Sequence, residues 1–124
     1  MGQPSKKVLL VEDDASIRHM YQTKLEAEGF QVKTAVDGED GYTTAKLFHP
    51  DVVLLDIMMP GVTGIDFLSY LRRLTENDNV KVIVLTNLDD PALKNSLREV
   101  VSGYVVKAET TPSEVAAKIR ALFA

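Results

Sequence analysis

The chain has no cysteine, only two histidines, and no apolar run longer than four residues. Without cysteine there is neither a disulfide frame nor a thiolate metal site, a composition suited to the cytosol. His19 and His49 have no cysteine or second ligand near them in the sequence, which argues against a zinc centre. Four apolar residues are far short of the roughly 20 that a membrane-crossing helix needs. Lys6-Lys7 has the look of a signal-peptide n-region, but the short run Val8 to Val11 leads directly into Glu12-Asp13-Asp14, so no apolar h-region follows it. Basic charge is in deficit, with 14 Lys and Arg against 18 Asp and Glu for a net charge of −4, so the footprint of a direct nucleic-acid binder is missing. No glycine-rich turn follows the first apolar run, which removes the phosphate cradle of a flavin or dinucleotide binder. Repeats, linkers and low-complexity tracts are absent as well.

What is present fits a single domain with one real core, since 45% of the 124 residues are apolar. Met1 to Ser5 reads as a flexible leader, and residues 6–124 as one unit. Four short apolar runs each end in a polar residue able to do chemistry. Val8 to Val11 runs into Glu12-Asp13-Asp14, Val52 to Leu55 into Asp56, Val82 to Leu85 into Thr86, and Tyr104 to Val106 into Lys107. Continuous apolar runs with helical stretches between them read as buried parallel strands. Parallel strands share one direction, so the residues past their ends collect on one edge, where open α/β sheets bind ligands.

The punctuation between the runs is equally readable. A first strand is expected over about 7–12. Asp14 or Ala15 opens a helix with an apolar face of Ile17, Met20, Tyr21 and Leu25, which Gly29 stops. Residues 30–36 alternate as a half-exposed edge strand. Asp37-Gly38 starts a second helix that Pro50 ends, and a third strand covers about 51–55. A third helix, following a loop bracketed by Gly61 and Gly64, buries Phe67, Leu68, Leu71 and Leu74. After the polar stretch Glu76 to Asn79 comes a fourth strand at about 80–85. Asp90-Pro91 then caps a helix carrying Leu93, Leu97 and Val100-Val101, broken by Ser102-Gly103. A fifth strand at about 103–106 precedes Thr111-Pro112-Ser113-Glu114, a capping-box signal for a last helix burying Val115, Ile119, Leu122 and Phe123. Five successive strand–helix units build an α/β domain, a doubly wound parallel sheet with helices on both faces.

At the sheet edge, Asp56 stands directly after four apolar residues, a costly place for a carboxylate unless something pairs with it. Glu12, Asp13 and Asp14 follow the strand expected beside it. Asp14 reads as the cap of the first helix. The other carboxylates repel one another unless a cation lies between them, and Mg²⁺ suits such a set because it takes oxygen ligands from one or two carboxylates and a phosphate. Lys107 offers a point charge for a phosphoryl oxygen and Thr86 a hydroxyl donor.

This arrangement resembles the receiver domain of bacterial response regulators, the CheY-like family, over residues 6–124. The residues that carry the resemblance are Glu12-Asp13, Asp56 within Leu55-Asp56-Ile57-Met58-Met59-Pro60-Gly61, Gly64, Thr86 thirty positions after Asp56, and Tyr104-Val105-Val106-Lys107. The resemblance implies a flavodoxin-like (βα)5 fold with strand order 2-1-3-4-5. It makes Asp56 the phosphoacceptor and assigns Mg²⁺ (or Mn²⁺) to Asp13, to Glu12 chiefly through water, to Asp56 and to the backbone carbonyl of Met58. Thr86 and Lys107 would hold phosphoryl oxygens, and Tyr104 would follow Thr86 as a switch. The donor would be a sensor histidine kinase or a histidine phosphotransfer protein. Signalling would be cytoplasmic, through the fourth helix, fifth strand and fifth helix, to an effector domain, a downstream protein or a second copy. Such a protein is a switch rather than a turnover enzyme; phosphorylation and dephosphorylation act on the protein itself.

Two positions depart from the family pattern. Ala108 stands where a proline, often after a cis peptide, is usual, so Lys107 either precedes a strained cis bond or approaches through a trans one. Asn87 replaces a small residue after Thr86. These departures leave a receiver-like interaction module that takes no phosphate as the alternative. Met58 and Leu88 occupy positions that, in the family, modulate phosphoryl lifetime; both are apolar, which predicts slow hydrolysis. A dehalogenase-type phosphatase is disfavoured because Met58 stands where its second aspartate belongs.

Overall fold

The computed structural model describes residues 5–57, 64–74, 80–87, 90–98 and 100–124, with 64, 65 and 74 through the backbone only. Strands β1 (Lys7–Val11), β2 (Gln31–Ala35), β3 (Val52–Leu55), β4 (Lys81–Thr86) and β5 (Gly103–Val106) alternate with helices α1 (Ala15–Ala27), α2 (Gly38–Phe48), α3 (Gly64–Leu74), α4 (Pro91–Leu97) and α5 (Pro112–Leu122). A 3-10 turn, Lys107–Glu109, follows β5. All neighbouring strands pair in parallel, in the order β2-β1-β3-β4-β5. This is the expected doubly wound (βα)5 fold.

The runs lack alternation because both faces of the sheet are covered. Leu9, Val11, Val53, Leu55, Val82 and Val84 pack with Phe67, Leu68 and Leu71 of α3 and Leu97 of α4. Val8, Leu10, Val52, Leu54, Ile83 and Leu85 pack on the other side with Tyr21 and Leu25 of α1 and Val115, Ala116 and Ile119 of α5. On the edge, β2 buries Val32 while Gln31 and Lys33 face solvent, as its alternation predicts, but Ala35 is buried as well, out of step with that alternation.

Helix starts follow the capping chemistry. The Asp14 side chain accepts from the Ile17 amide at 2.9 Å, Asp37 from Asp40 at 2.8 Å, and Asp90 from Ala92 at 3.0 Å. Thr111 and Glu114 form a complete capping box at α5. Gly29 sits at φ +99°, the left-handed conformation that ends α1 without a Cβ penalty. His49 caps α2 in the same region, at φ 53°, just before Pro50.

Several boundaries differ from the sequence reading. Met20 is 48% exposed, because α1 buries the line through Ile17, Tyr21 and Leu25 and Met20 falls outside it. Val36 is likewise exposed, beyond the end of β2. Helix α4 stops at Leu97 rather than reaching Ser102. The amides of Val100 and Val101 both turn back to the Leu97 carbonyl, and the Ser102 amide is taken by Val82 of the sheet. Val100 is therefore exposed and Val101 only half-buried. Strand β1 ends one residue early, at Val11, and β4 one residue late, so Thr86 lies inside the strand instead of past it. Ala116 joins the core, whereas Leu122 and Phe123 are only partly buried. Residues 1–4 of the expected leader, the Glu76 to Asn79 stretch and the Leu74 side chain lie outside the described residues.

Candidate functional site

Register builds the site. Val11 of β1 is paired with both Ala35 of β2 and Leu55 of β3. The next residue on each strand continues the ladder for one more bond: the Glu12 amide donates to Ala35 O and the Asp56 amide to Val11 O, each at 3.0 Å. Glu12 and Asp56 therefore emerge side by side at the carboxyl ends of β1 and β3. Thr86 pairs with Val106 on the far side of β4, and Lys107 is the residue after Val106. The sheet thus delivers the acids from one direction and the lysine from the other.

The Lys107 ammonium lies between the carboxylates. Its Nζ is 3.1 Å from Asp56 Oδ2 and forms a close ion pair with Glu12 Oε1. Glu12 is 1% exposed and Asp56 5%, whereas Asp13 is exposed. One oxygen from each of Glu12, Asp13 and Asp56 lies within 4.8 Å of the others. A pocket of about 430 Å³ opens over them, with Asp14, Ile17, Asn87 and Lys107 completing its lining.

Burial pushes the Glu12 carboxyl above its usual range. The nearby Asp56 charge adds to that effect, while Lys107 and the Asp14 amide (3.1 Å from Glu12 Oε2) oppose it. For Lys107, burial favours the neutral amine, but the Glu12 and Asp56 carboxylates outweigh it and hold the pKa above the usual lysine range. Lys107 is accordingly a cation at neutral pH. Three carboxylates against one ammonium leave a formal excess of two negative charges in this cluster. A hard dication with oxygen ligands fits that donor set, so the cluster is compatible with a metal site.

The Lys107–Ala108 peptide is trans, as are all described peptides, and Lys107 reaches Asp56 from it. Thr86 is fully buried at the end of β4. Tyr104 pairs in register with Val84, two residues before Thr86, so period-two alternation puts Thr86 and Tyr104 on the same sheet face. Tyr104 is half-buried there against the core shared with α2, α3 and α4. Met58, expected to lend a carbonyl, and Leu88 both lie outside the described residues.

Two residues of α1 join this neighbourhood: Ile17, expected only as part of the helix's apolar face, and Arg18, which the sequence reading did not single out. Ile17 lines the pocket. Arg18 Nη1 donates to the Glu12 carbonyl at 2.9 Å and to the Asp13 carbonyl at 3.3 Å. The available signal was positional: helical side chains lean toward their N-terminus, so a long donor in the first turns of α1 can reach back over the strand end.

The family model described as response regulator receiver domain matches residues 8–120. The probable transcriptional regulator ycf27 of Cyanophora paradoxa is 42% identical over 118 residues, covering 94% of this chain and 48% of that protein. The phosphate regulon transcriptional regulatory protein PhoB of Rhizobium meliloti is 33% identical over 117 residues, covering 94% and 51%. This chain thus spans about half the length of those curated relatives. The structure of the Vibrio cholerae chemotaxis protein CheY4 superposes with a TM-score of 0.86 at 30% identity, covering 94% of this chain and 98% of that one. Fold, strand order, sheet-edge acids and family match agree: the chain belongs to the response regulator receiver domains of two-component signalling.

Proposed function

We propose that this chain is a phosphorylation-driven switch, with Asp56 as the acceptor and a phosphohistidine as the donor. The observation that carries this reading is the meeting of the acidic triplet Glu12, Asp13 and Asp56 with the Lys107 ammonium at one sheet edge. An Asp56 carboxylate oxygen attacks phosphorus, the P–N bond to the donor imidazole breaks, and that nitrogen regains a proton. The transition state is loose, so positioning and charge neutralisation matter more than covalent assistance. Lys107 already touches Asp56 Oδ2 and can pass to an oxygen of the transferred group. Asp13, Asp56, Glu12 and, by the family resemblance, the Met58 carbonyl would hold Mg²⁺ (or Mn²⁺), which would supply further neutralisation of phosphoryl charge. The product is an acyl phosphate that water later removes, so the protein modifies itself and is not a turnover enzyme.

The Thr86 hydroxyl then turns toward the new oxygens, and Tyr104, on the same face, repacks in response. These differential contacts bias the population between two arrangements of the α4–β5–α5 surface. Residues 6–124 act as one receiver unit, in the cytoplasm where a sensor histidine kinase or histidine phosphotransfer protein presents its phosphate. Output passes to an effector domain, a downstream protein or a second copy of the chain. The greater length of the transcriptional relatives supports the first of these. The sequence departure at Ala108 does not keep the lysine away, since a trans peptide brings it to Asp56.

Intact-mass measurement after incubation with Mg²⁺ and a small acyl phosphate tests the reading. One phosphate adduct is expected, absent from Asp56→Asn. No adduct from small donors or from a phosphorylated phosphotransfer protein would identify an interaction module that takes no phosphate.

A further inference from the structure

The receiver reading assigns the acidic pair Glu12-Asp13 to a cation but leaves open what holds the loop that carries them. That loop is short and lies between the last β1 residue, Val11, and the first α1 residue, Ala15. Its side chains and amides are fixed locally. The Asp14 amide donates to Glu12 Oε2 at 3.1 Å, and Asp14 Oδ1 accepts from Ile17 at 2.9 Å. Its carbonyls are fixed from a distance. One terminal nitrogen of Arg18, half-buried on α1, bridges the carbonyls of Glu12 and Asp13 at 2.9 and 3.3 Å. The same residue's amide closes the first turn of α1 on Asp14 O at 2.9 Å.

From this contact we infer that Arg18 is a positioning residue for divalent-cation binding; the inference rests on the cluster Glu12, Asp13 and Asp56 being a cation site. The guanidinium spans both peptide units whose side chains would act as ligands. It sets the direction of each carboxylate and occupies carbonyl oxygens that could otherwise turn toward the ion. A cation that needs near-ideal octahedral geometry tolerates little play in its ligands, and outer groups that orient ligands are worth roughly 10–100-fold in metal affinity. Asp13 depends on this most, because it is exposed and lacks the packing that confines Glu12.

Charge alone predicts the opposite sign. A guanidinium held against the carbonyls of the acid-bearing loop repels an arriving dication, so a purely electrostatic Arg18 would weaken binding and its removal would strengthen it. The two roles are therefore separable by experiment. Magnesium binding is measured by isothermal titration calorimetry on the folded chain, for wild type, Arg18→Met and Arg18→Lys, with unfolding midpoints in chelator as the check on folding. Arg18→Met, which keeps the aliphatic reach and loses the donors, is expected to weaken Mg²⁺ binding about 10-fold. Arg18→Lys, which restores a charged donor of similar reach, is expected to recover at least half of that loss on a logarithmic scale. Binding by Arg18→Met that equals or exceeds wild type overturns the inference, as does a lysine variant no better than the methionine one. If Arg18→Met does not fold, Arg18→Lys against wild type decides: affinity within about threefold is expected, and loss equal to that of Asp13→Asn contradicts the proposed role. No magnesium binding by wild type overturns the cation site itself, and this inference with it.

Discussion

The three carboxylates of the cluster differ in what they can contribute. Glu12 is enclosed and committed to Lys107 and the Asp14 amide, so it shapes the site as much as it charges it. Asp13 is exposed, so its loss should alter ion binding while leaving the fold intact. Mg²⁺ at ten times its dissociation constant stabilises a folded protein by about 1.4 kcal/mol. That shift is expected in thermal melts of the wild type, and little of it in Asp13→Asn. A separate ion-pair cluster works at the opposite end of the molecule. Arg120 of α5 pairs with the Glu28 side chain and donates to the Glu28 carbonyl at 3.3 Å. The Arg120 hydrogen bond holds the Glu28 carboxyl below its usual range against the opposing effect of desolvation, with the Arg120 charge and Lys24 assisting. A carboxyl with a lowered folded-state pKa adds stability above the ordinary carboxylate range and loses it as pH falls through the folded value. Wild type should therefore unfold at higher urea than Glu28→Gln at pH 7, with the gap closing in acid. A gap that persists once both carboxyl forms are protonated would assign the difference to packing rather than charge.

At the level of elements, the close approach of α2 to α3 and the sheet depends on a missing side chain. A Cβ on Gly41 would lie 3.0 Å from Phe67 Cε1 and 3.2 Å from Val11 Cγ2. Both neighbours are fully buried. Alanine gains up to about 1 kcal/mol in helix propensity over glycine, but overpacking a filled core costs about 1–3 kcal/mol. Phe67 has no exposed side to move toward, so Gly41→Ala should lower stability by about 1 kcal/mol in urea unfolding; a more stable variant would show that α2 can lift away. The capping signals at Asp14, Asp37, Asp90 and Thr111 were legible in sequence because each is decided by two or three adjacent residues. The end of α4 was not. Val100-Val101 continue its apolar spacing, but β5 draws the chain back into the sheet at Ser102 before the helix can use them. Met20 misled for a related reason: spacing shows that a residue is near an apolar face, while the tilt of the helix on the sheet decides whether it is covered.

Across the whole molecule, the site is a consequence of parallel winding. Every strand presents its carboxyl end to one edge, and the order β2-β1-β3-β4-β5 sets β1 beside β3 in the middle of the sheet. Once the apolar runs were read as parallel strands, the meeting of Glu12, Asp13, Asp56 and Lys107 was legible, because only chain direction and winding were needed. The hidden part consisted of contacts that depend on side-chain reach. Arg18 folding back onto the acid-bearing loop is one. Asn87 lining the pocket instead of a smaller residue is foreseeable in identity but not in placement. Thr86 sits one residue deeper than expected, as the last residue of β4 rather than the first beyond it.

A crystal structure grown with Mg²⁺ and beryllium trifluoride, a mimic of a phosphoryl group on a carboxylate, interrogates that edge most directly. The fluoroberyllate should bond to Asp56, with the ion held by Asp13 and Asp56 and the Lys107 ammonium transferred from its present carboxylates to a fluorine. An unmodified Asp56, or an ion bound away from Asp13 and Asp56, would contradict a phosphoryl-accepting centre built from these residues.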